Sequence, residues 1–514
     1  MKEKGIKNTK GVSVEKDDFS EWFTQIMLKA DLADYSSVSG MMVYRPGAYE
    51  LWEKIVYEVD KRFKKIGVKN CYFPLLIPEK NFEKLKTHTE GFKPEVAWVT
   101  EAGDTKLSER LAIRPTSEAI MYESYSKWIR SWRDLPLKLN QWNNVVRWEF
   151  KHPVPFLRGR EFLWNEGHSA YATKKEAEAE EKKIIGIYKD VCENYLALPA
   201  LIGRKSEKEK FAGAEYSVSM EYYMPNGKAI QGPDFHFDGQ HFAKAYDIQF
   251  LDKDGKKQYA WQNTYAISTR MLGVMFAVHS DSKGLILPPK IALNKVVIVP
   301  ILFDDSRDKV LKVARDLEIK LRKFGVILDD REEYKPGFKF NEWDMKGIPL
   351  KIEIGPRDLS KKEVVVSRRD NGKKESVKIK DIEKYIWRVF EEIQDSLFEK
   401  AKKLLYDNIV ECKNLGDVEK AINGKKIAFA PMCKRIECED ELKDKTGAKV
   451  LNIPYTTSPG SMSPGNRHDT SPGSMSPGNR HDTSPGSMSP GNRKEKCVLC
   501  SGDSEHWAYI GKSY

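Results

Sequence analysis

The 514-residue chain is 40% hydrophobic and 32% charged, which suits a globular protein of roughly three domains. Lys and Arg (87) exceed Asp and Glu (76) by 11, a balance compatible with a polyanionic partner such as RNA without requiring one. No apolar run approaches the roughly 20 residues of a membrane span, and the polar start MKEKGIKNTK has no secretory core, so a cytoplasmic address is expected.

Pro46 through Ile66 is predicted to be a helix. Proline stands in its first turn, Ala48, Leu51, Trp52, Ile55, Val59, Phe63 and Ile66 form an apolar stripe, and Gly67 stops it. NCYFPLLI should follow as a strand. In LAIRPTSEAIMYESY, Thr116 or Ser117 can cap a helix whose first turn holds Glu118, where a glutamate ordinarily does no more than suit the helix dipole.

The next stretch, VVRWEF then KHPVPFLRG then REFLWNEGHSAY, reads as two strands around a proline-bearing loop. Arg147 and Glu149 share a face of the first, and period-two geometry sets Phe162, Trp164, Glu166 and His168 on one face of the second. Such charge on a half-buried surface is costly unless something binds there. A suitable ligand has an anionic part for Arg147 and Arg158 and a small cationic or apolar part for the aromatic and carboxylate wall. The alternative is a sheet edge with solvated charges.

Lys174–Val191 is predicted as a charged amphipathic helix, and FAGAEYSVSMEYYMPNGKAIQGPDFHFDGQHF as antiparallel strands around a Pro-Asn-Gly turn. QYAWQNTYAISTRMLGVMFAVHSD reads as a strand entering an apolar helix with Arg270 at the junction. A cation there opposes the dipole, so it faces either an anionic ligand or a structural salt bridge. LILPPKIALNK is a linker. Beyond it the pattern becomes βαβ-like for roughly 100 residues. VVIVPILF precedes a stripe of Val310, Val313, Leu317, Leu321 and Phe324. VILDD, PLKIEIGP and EVVVSRRD follow as strands, and Ile382–Leu397 closes the unit as a helix.

From about residue 400 come a helix, the strand KKIAFAPM and two cysteine pairs. Cys433 with Cys438 and the CxxC of Cys497 and Cys500, separated by a loop, suit a tetrahedral thiolate zinc site. Cys71, Cys192 and Cys412 have no ligand-spaced partner. Between the pairs, TSPGSMSPGNRHD occurs twice and then in most of a third copy, over 457–493. It cannot bury a core and is expected to be a disordered, passive loop.

Taken together, RPGAYELWE, EVAWVT, IRPTSE, VVRWEFKHPVPFLRGREFLWNEGH, KFAGAEY, STRMLGVM, GLILPP, PGFKFNEWDMKGIPLKIEIGPRD and the four cysteines resemble a class II aminoacyl-tRNA synthetase. Within that class the chain is similar to prolyl-tRNA synthetases of the archaeal/eukaryotic type. The resemblance implies an α+β fold: a class II antiparallel-sheet catalytic domain over 1–290, an α/β anticodon-binding domain over 291–400, and a small C-terminal zinc-type α/β domain over 401–514. It further implies a homodimer through the motif around Pro46, and partners L-proline, ATP with Mg²⁺, and tRNA(Pro).

The resemblance also implies residue roles. Arg147 and Arg270 are the catalytic arginines. Arg147, Glu149, Arg158, Phe162, Gln231 and Arg270 bind ATP. Thr116, Glu118, Arg147, Trp164, Glu166, His168, Phe211, His236 and Ser268 bind proline. Cys433, Cys438, Cys497 and Cys500 hold the metal. Arg331, Lys335, Lys339, Lys351 and Arg357 are candidates for tRNA contact. One stretch departs from the family: a threonine and a serine expected before His236 are Asp234 and Phe235. The departure leaves open a sister class II synthetase with altered amino-acid choice, or a paralogue that binds ATP or tRNA without charging.

Overall fold

The computed structural model describes residues 11–82, 95–149, 153–455 and 495–514; the repeat insert 457–493 lies outside the described residues. Its frame is an eleven-stranded sheet. In chain order the strands are β1 (Lys69–Asn70), β2 (Leu137–Val146), β3 (Glu161–Tyr171), β4 (Leu201–Arg204), β5 (Tyr216–Tyr223), β6 (Ala229–Gly239) and β7 (Trp261–Ala266). A second sheet holds β8 (Val296–Pro300), β9 (Val326–Leu328), β10 (Leu350–Ile354), β11 (Glu363–Arg368) and β12 (Lys374–Lys378). The chain then returns to the first sheet with β13 (Ile409–Glu411), β14 (Ile427–Met432), β15 (Lys449–Pro454) and β16 (His506–Gly511).

The large sheet runs β13-β14-β16-β15-β4-β5-β6-β7-β3-β2-β1, antiparallel from β16 through β2. Helices α1 (Pro46–Lys65) and α3 (Lys174–Asn194) pack together on one face, where Glu180 meets Ser169, while α2 (Glu118–Trp128) meets the opposite face through Tyr122 and His168. Phe63 of α1 packs edge-on against Tyr188 and Tyr265. Glu180 of α3 is buried on the helix's sheet-facing side, where Asn263 and Ser169 donate to it at 3.0 Å. Burial pushes its carboxyl up. The interior of β3 is buried on both faces, so its polar residues must satisfy each other.

The smaller sheet runs β9-β8-β10-β11-β12, parallel around β8 and antiparallel beyond β10. Helix α4 (Arg270–His279) ends the strand-to-helix unit before it. Helices α5 (Arg307–Leu321) and α6 (Ile382–Tyr406) flank the smaller sheet. Arg369, buried beside it, reaches back to Asp281 at 2.6 Å, and Gln394 of α6 donates to Asn194 O at 2.9 Å.

Three local expectations need correction. NCYFPLLI is not one strand: only β1 and a short strand at Leu76–Pro78 pair, because Pro74 has no N–H and Phe73 N–H bonds the Gln141 side chain. The closing helix runs on to Tyr406 instead of ending at Leu397, since Ala401 and Leu405 continue its buried stripe. Ser117 occupies the N-cap position of α2 as expected, but its side chain makes no cap hydrogen bond.

The C-terminal strands do not hang from the catalytic sheet; they extend it. β15 pairs with β4 through Ile453 opposite Arg204 and Pro454 opposite Gly203. A Cβ on Gly203 would lie 2.3 Å from the Ile453 carbonyl oxygen, so the junction needs a glycine. Gly203→Ala is therefore expected to destabilise the fold by about 1–3 kcal/mol, the usual cost of overpacking. Chemical denaturation checks this; an unchanged midpoint would contradict the pairing.

Candidate active site and thiolate cluster

On the face of the large sheet that α2 partly covers, β3 presents Phe162, Trp164, Glu166 and His168 as its alternation requires. β2 answers with Gln141 opposite Glu166 and Asn143 opposite Trp164. Glu166 is almost fully buried. Its Oε2 accepts the Ser117 N–H at 2.7 Å, and its Oε1 accepts the Ser117 hydroxyl at 2.8 Å, Asn143 at 2.9 Å and Trp164 Nε1 at 3.2 Å. His168 Nε2 lies 3.4 Å away, and its Nδ1 meets the Tyr122 hydroxyl at 3.1 Å. Burial alone would raise the Glu166 carboxyl, but the bonds from His168, Asn143 and Ser117 outweigh it and hold it below its ordinary value.

The IRPTSE segment is thus built around Glu166. The hydroxyl of Ser117 goes to that carboxylate instead of capping α2, and Thr116 Oγ1 donates to the buried Glu118. Arg114 is the segment's anchor: it is 1% exposed and donates to Phe73 O and Asn144 O at 3.0 Å.

Two adjoining cavities open above this floor. The larger, about 440 Å³, is lined by Thr116, Glu118, Trp164, Glu166, His168, Phe211 and His236, with Glu149 exposed at its margin. The smaller, about 170 Å³, takes Phe162, Gly232, Ser268 and Arg270. Arg147, Trp164, Gln231 and Asp234 line both. Arg147 lies just past the end of β2, bonds Pro115 O at 3.0 Å and has its guanidinium carbon 5.0 Å from the Trp164 ring centre. Arg270 opens α4 and donates to Leu157 O at 3.1 Å and Gln231 O at 2.9 Å. Burial, then the charge of Arg147, push its guanidinium below the ordinary value, with Arg158 adding to the effect. No carboxylate ion pair satisfies Arg270 among the described residues, so the salt-bridge alternative is not what the structure holds. Arg158 itself stands on the 153–160 turn, its N–H bonded to Val154 O at 2.9 Å, and lines neither cavity.

The unusual Asp234 is at the seam of the two cavities. Gln231 donates to its Oδ2 at 2.9 Å and His236 Nε2 lies 3.5 Å from the same oxygen. Its Oδ1 is buried without a partner among the described residues. Phe235 points the other way, fully buried and stacked near Tyr265. His236 Nδ1 shares a 2.7 Å hydrogen bond with Ser217, and its ring lies 4.8 Å from Phe211.

Sequence reasoning missed several groups. Asp238, at the bulge of β6, is fully buried near Glu118; burial and then that neighbour's charge push its carboxyl well above the usual range. Ser217, Lys205 and Glu209 also line the larger cavity. The inward-facing polar residues of LNQWNNVV were the available signal for Gln141 and Asn143.

Away from the sheet face, the sulfurs of Cys433, Cys438, Cys497 and Cys500 lie within 4.8 Å of one another. The Gly502 N–H holds the Cys500 thiol down to about 6, which favours a thiolate. Four soft donors at this spacing fit zinc. Of the basic residues expected to meet tRNA, Lys335 and Arg357 are exposed. Lys339 is buried against Asp329 and Lys351 against Asp344, so both are structural; Arg331 is held by Asp329 and Glu342. Among the described residues no helix is long and apolar enough to cross a membrane.

Comparison with known proteins gives this geometry a context. The tRNA synthetase class II core domain (G, H, P, S and T) matches residues 98–279, an anticodon binding domain matches 295–388, and the prolyl-tRNA synthetase C-terminal domain matches 415–514. A proline--tRNA ligase of Natranaerobius thermophilus is 46% identical over 88% of this chain and 94% of its own length. One of Cenarchaeum symbiosum is 45% identical over 88% of this chain and 96% of its own. The crystal structure of prolyl-tRNA synthetase from Cryptosporidium parvum, complexed with halofuginone and AMPPNP, superposes with a TM-score of 0.89 at 39% identity, covering 98% of this chain and all of that one. Over its catalytic, anticodon-binding and C-terminal regions alike, the chain belongs to the proline--tRNA ligase family of class II aminoacyl-tRNA synthetases.

Proposed function

We propose that this chain activates L-proline with ATP and transfers the prolyl group to the 3′ end of tRNA(Pro). The observation that carries the reading is the pair of cavities joined at Arg147: one ends in the Glu118 carboxylate, the other in Arg270 and Phe162. Adenylate formation is an in-line attack of a carboxylate on phosphorus, and two anions repel. Arg147 at the seam bridges the substrate carboxylate and the α-phosphate, and Arg270 adds a second fixed cation where charge develops. Phe162 and Arg270 enclose the adenine, with Gln231 and Glu149 along the nucleotide and Arg158 toward the distal phosphates. Glu118 and Thr116 take the secondary ammonium. Trp164, His168, Phe211, His236 and Ser268 close around the ring, while Glu166 holds the wall in register. No general base is needed, because the attacking carboxylate is already ionised.

The hard oxygens of Glu149 and Asp234 border the cleft and suit Mg²⁺, which would offset phosphate charge when bound. Zinc at the four cysteines would cross-link the 433–438 and 497–500 segments. The three domains divide near residues 290 and 400 in this reading. The protein acts in the cytoplasm as a homodimer, for which the exposed Tyr49 and Tyr57 of α1 and the following Tyr72 supply apolar surface. Lys335 and Arg357 face the tRNA.

Amino-acid-dependent ATP–pyrophosphate exchange tests the reading directly. Proline is expected to stimulate it; stimulation by alanine or cysteine but not proline, or ATP binding with no exchange, would overturn it. Arg147→Ala and Arg270→Ala should each lower kcat by about 10²–10³-fold, the range for removing a group that stabilises developing charge. Glu118→Gln should raise KM for proline by about tenfold or more while KM for ATP stays near its starting value, as loss of one charge-assisted bond demands. Elemental analysis should find one zinc per chain, and Cys438→Ser should abolish it and lower the melting temperature.

A further inference from the structure

The segment Lys205–Phe211 forms a side wall of the larger cavity, yet it belongs to no strand or helix. Its shape comes from a turn in which the Glu209 and Lys210 N–H groups donate to Ser206 O at 3.2 and 2.9 Å. The turn delivers Phe211, whose N–H bonds Ser217 Oγ at 3.0 Å and whose ring faces His236. These local bonds shape the turn, and Lys205 N–H and Lys210 Nζ tie it to Ser217 O at 2.8 Å and Glu215 O at 3.2 Å.

A further restraint comes from 233 residues away. Ser206 Oγ, almost fully buried, donates to Glu439 Oε2 at 2.7 Å, and Glu439 is buried in turn on helix α7 (Ile436–Thr446). Lys449 of β15 reaches Glu209 Oε2 at 2.6 Å, and Asp440 of α7 pairs with Lys208. Lys205 splits its ammonium between Glu221 at 2.6 Å and Leu451 O of β15 at 2.8 Å. Four successive contacts therefore run from the C-terminal region to one wall of the pocket, and the Ser206–Glu439 bond among them is shielded from water, where a hydrogen bond is hardest to replace.

We propose that Glu439 and Lys449 are positioning residues for amino-acid binding, acting through Ser206 and Glu209 to set where Phe211 and His236 meet the substrate. The proposal rests on the functional reading above for its substrate, but not for its geometry. The wall it fixes belongs to the larger cavity, away from Arg270 and Phe162, so the effect falls on the amino acid and spares the nucleotide.

The test combines pyrophosphate-exchange kinetics with amide hydrogen exchange on the full chain. Ser206→Ala and Glu439→Ala should each raise KM for proline about five- to tenfold, the loss expected for one buried hydrogen bond, with KM for ATP changed by no more than about twofold. Lys210 and Phe211 amides should exchange faster in the same variants without ligand. Glu439→Gln, which still accepts the Ser206 hydroxyl, should restore both readouts. Lys449→Gln, at a partly exposed position, provides a variant expected to fold, with about a twofold rise in KM for proline. Equal shifts in both KM values, an unmoved KM for proline, or failure of Glu439→Gln to rescue would overturn the proposal. If the unaltered enzyme shows no proline-dependent exchange, the functional reading falls, while the amide protection of the segment still decides the positioning claim.

Discussion

A buried carboxylate with every lone pair in use organises this molecule's working face. Glu166 is taken from water by β3, and an uncompensated charge there would cost several kcal/mol. Its donors come from β2, from the segment preceding α2 and from its own strand, so the charge is stabilised only when all three pieces are in register. The same demand aims Ser117 inward and leaves Thr116 and Glu118 presented to the cavity. A requirement for electrostatic satisfaction thereby becomes a positional constraint on the residues assigned to the substrate.

Around that fixed centre the remaining charges are left incomplete in a patterned way. Among the described residues the guanidiniums of Arg147 and Arg270 hydrogen-bond only to backbone carbonyls, which orient a guanidinium without neutralising it. Asp238, by contrast, is disfavoured as an anion by its burial and by the nearby Glu118 charge, which push its carboxyl up. Cationic groups at one end, a carboxylate at the other and aromatic walls between give the cleft a dipolar character that matches an amino acid joined to a nucleotide.

Much of this was legible in the sequence because strand alternation is strict. The face carrying Phe162, Trp164, Glu166 and His168 follows from parity alone, and the helix from Pro46 follows from its stripe and stop signal. Arg270 at a helix start was legible as an oddity, since a cation there opposes the dipole. What escaped notice was set by tertiary context. Lys339 and Lys351 look like surface cations in a string of letters, but the fold buries them against Asp329 and Asp344. Ser117 looks like a cap until a distant glutamate claims its hydroxyl. The proline in NCYFPLLI announced a break that the apolar composition concealed.

The shared sheet also constrains how this chain can be shortened. Were the residues after α6 removed, β4 would lose its neighbour β15 at Gly203–Arg204 and the Asn452 side chain that covers Leu201 O, leaving that edge bare. Such an unprotected edge is a template for strand addition by another molecule. A truncated catalytic fragment should therefore be prone to aggregation even if its active-site residues were all retained, and the C-terminal region doubles as the sheet's guard.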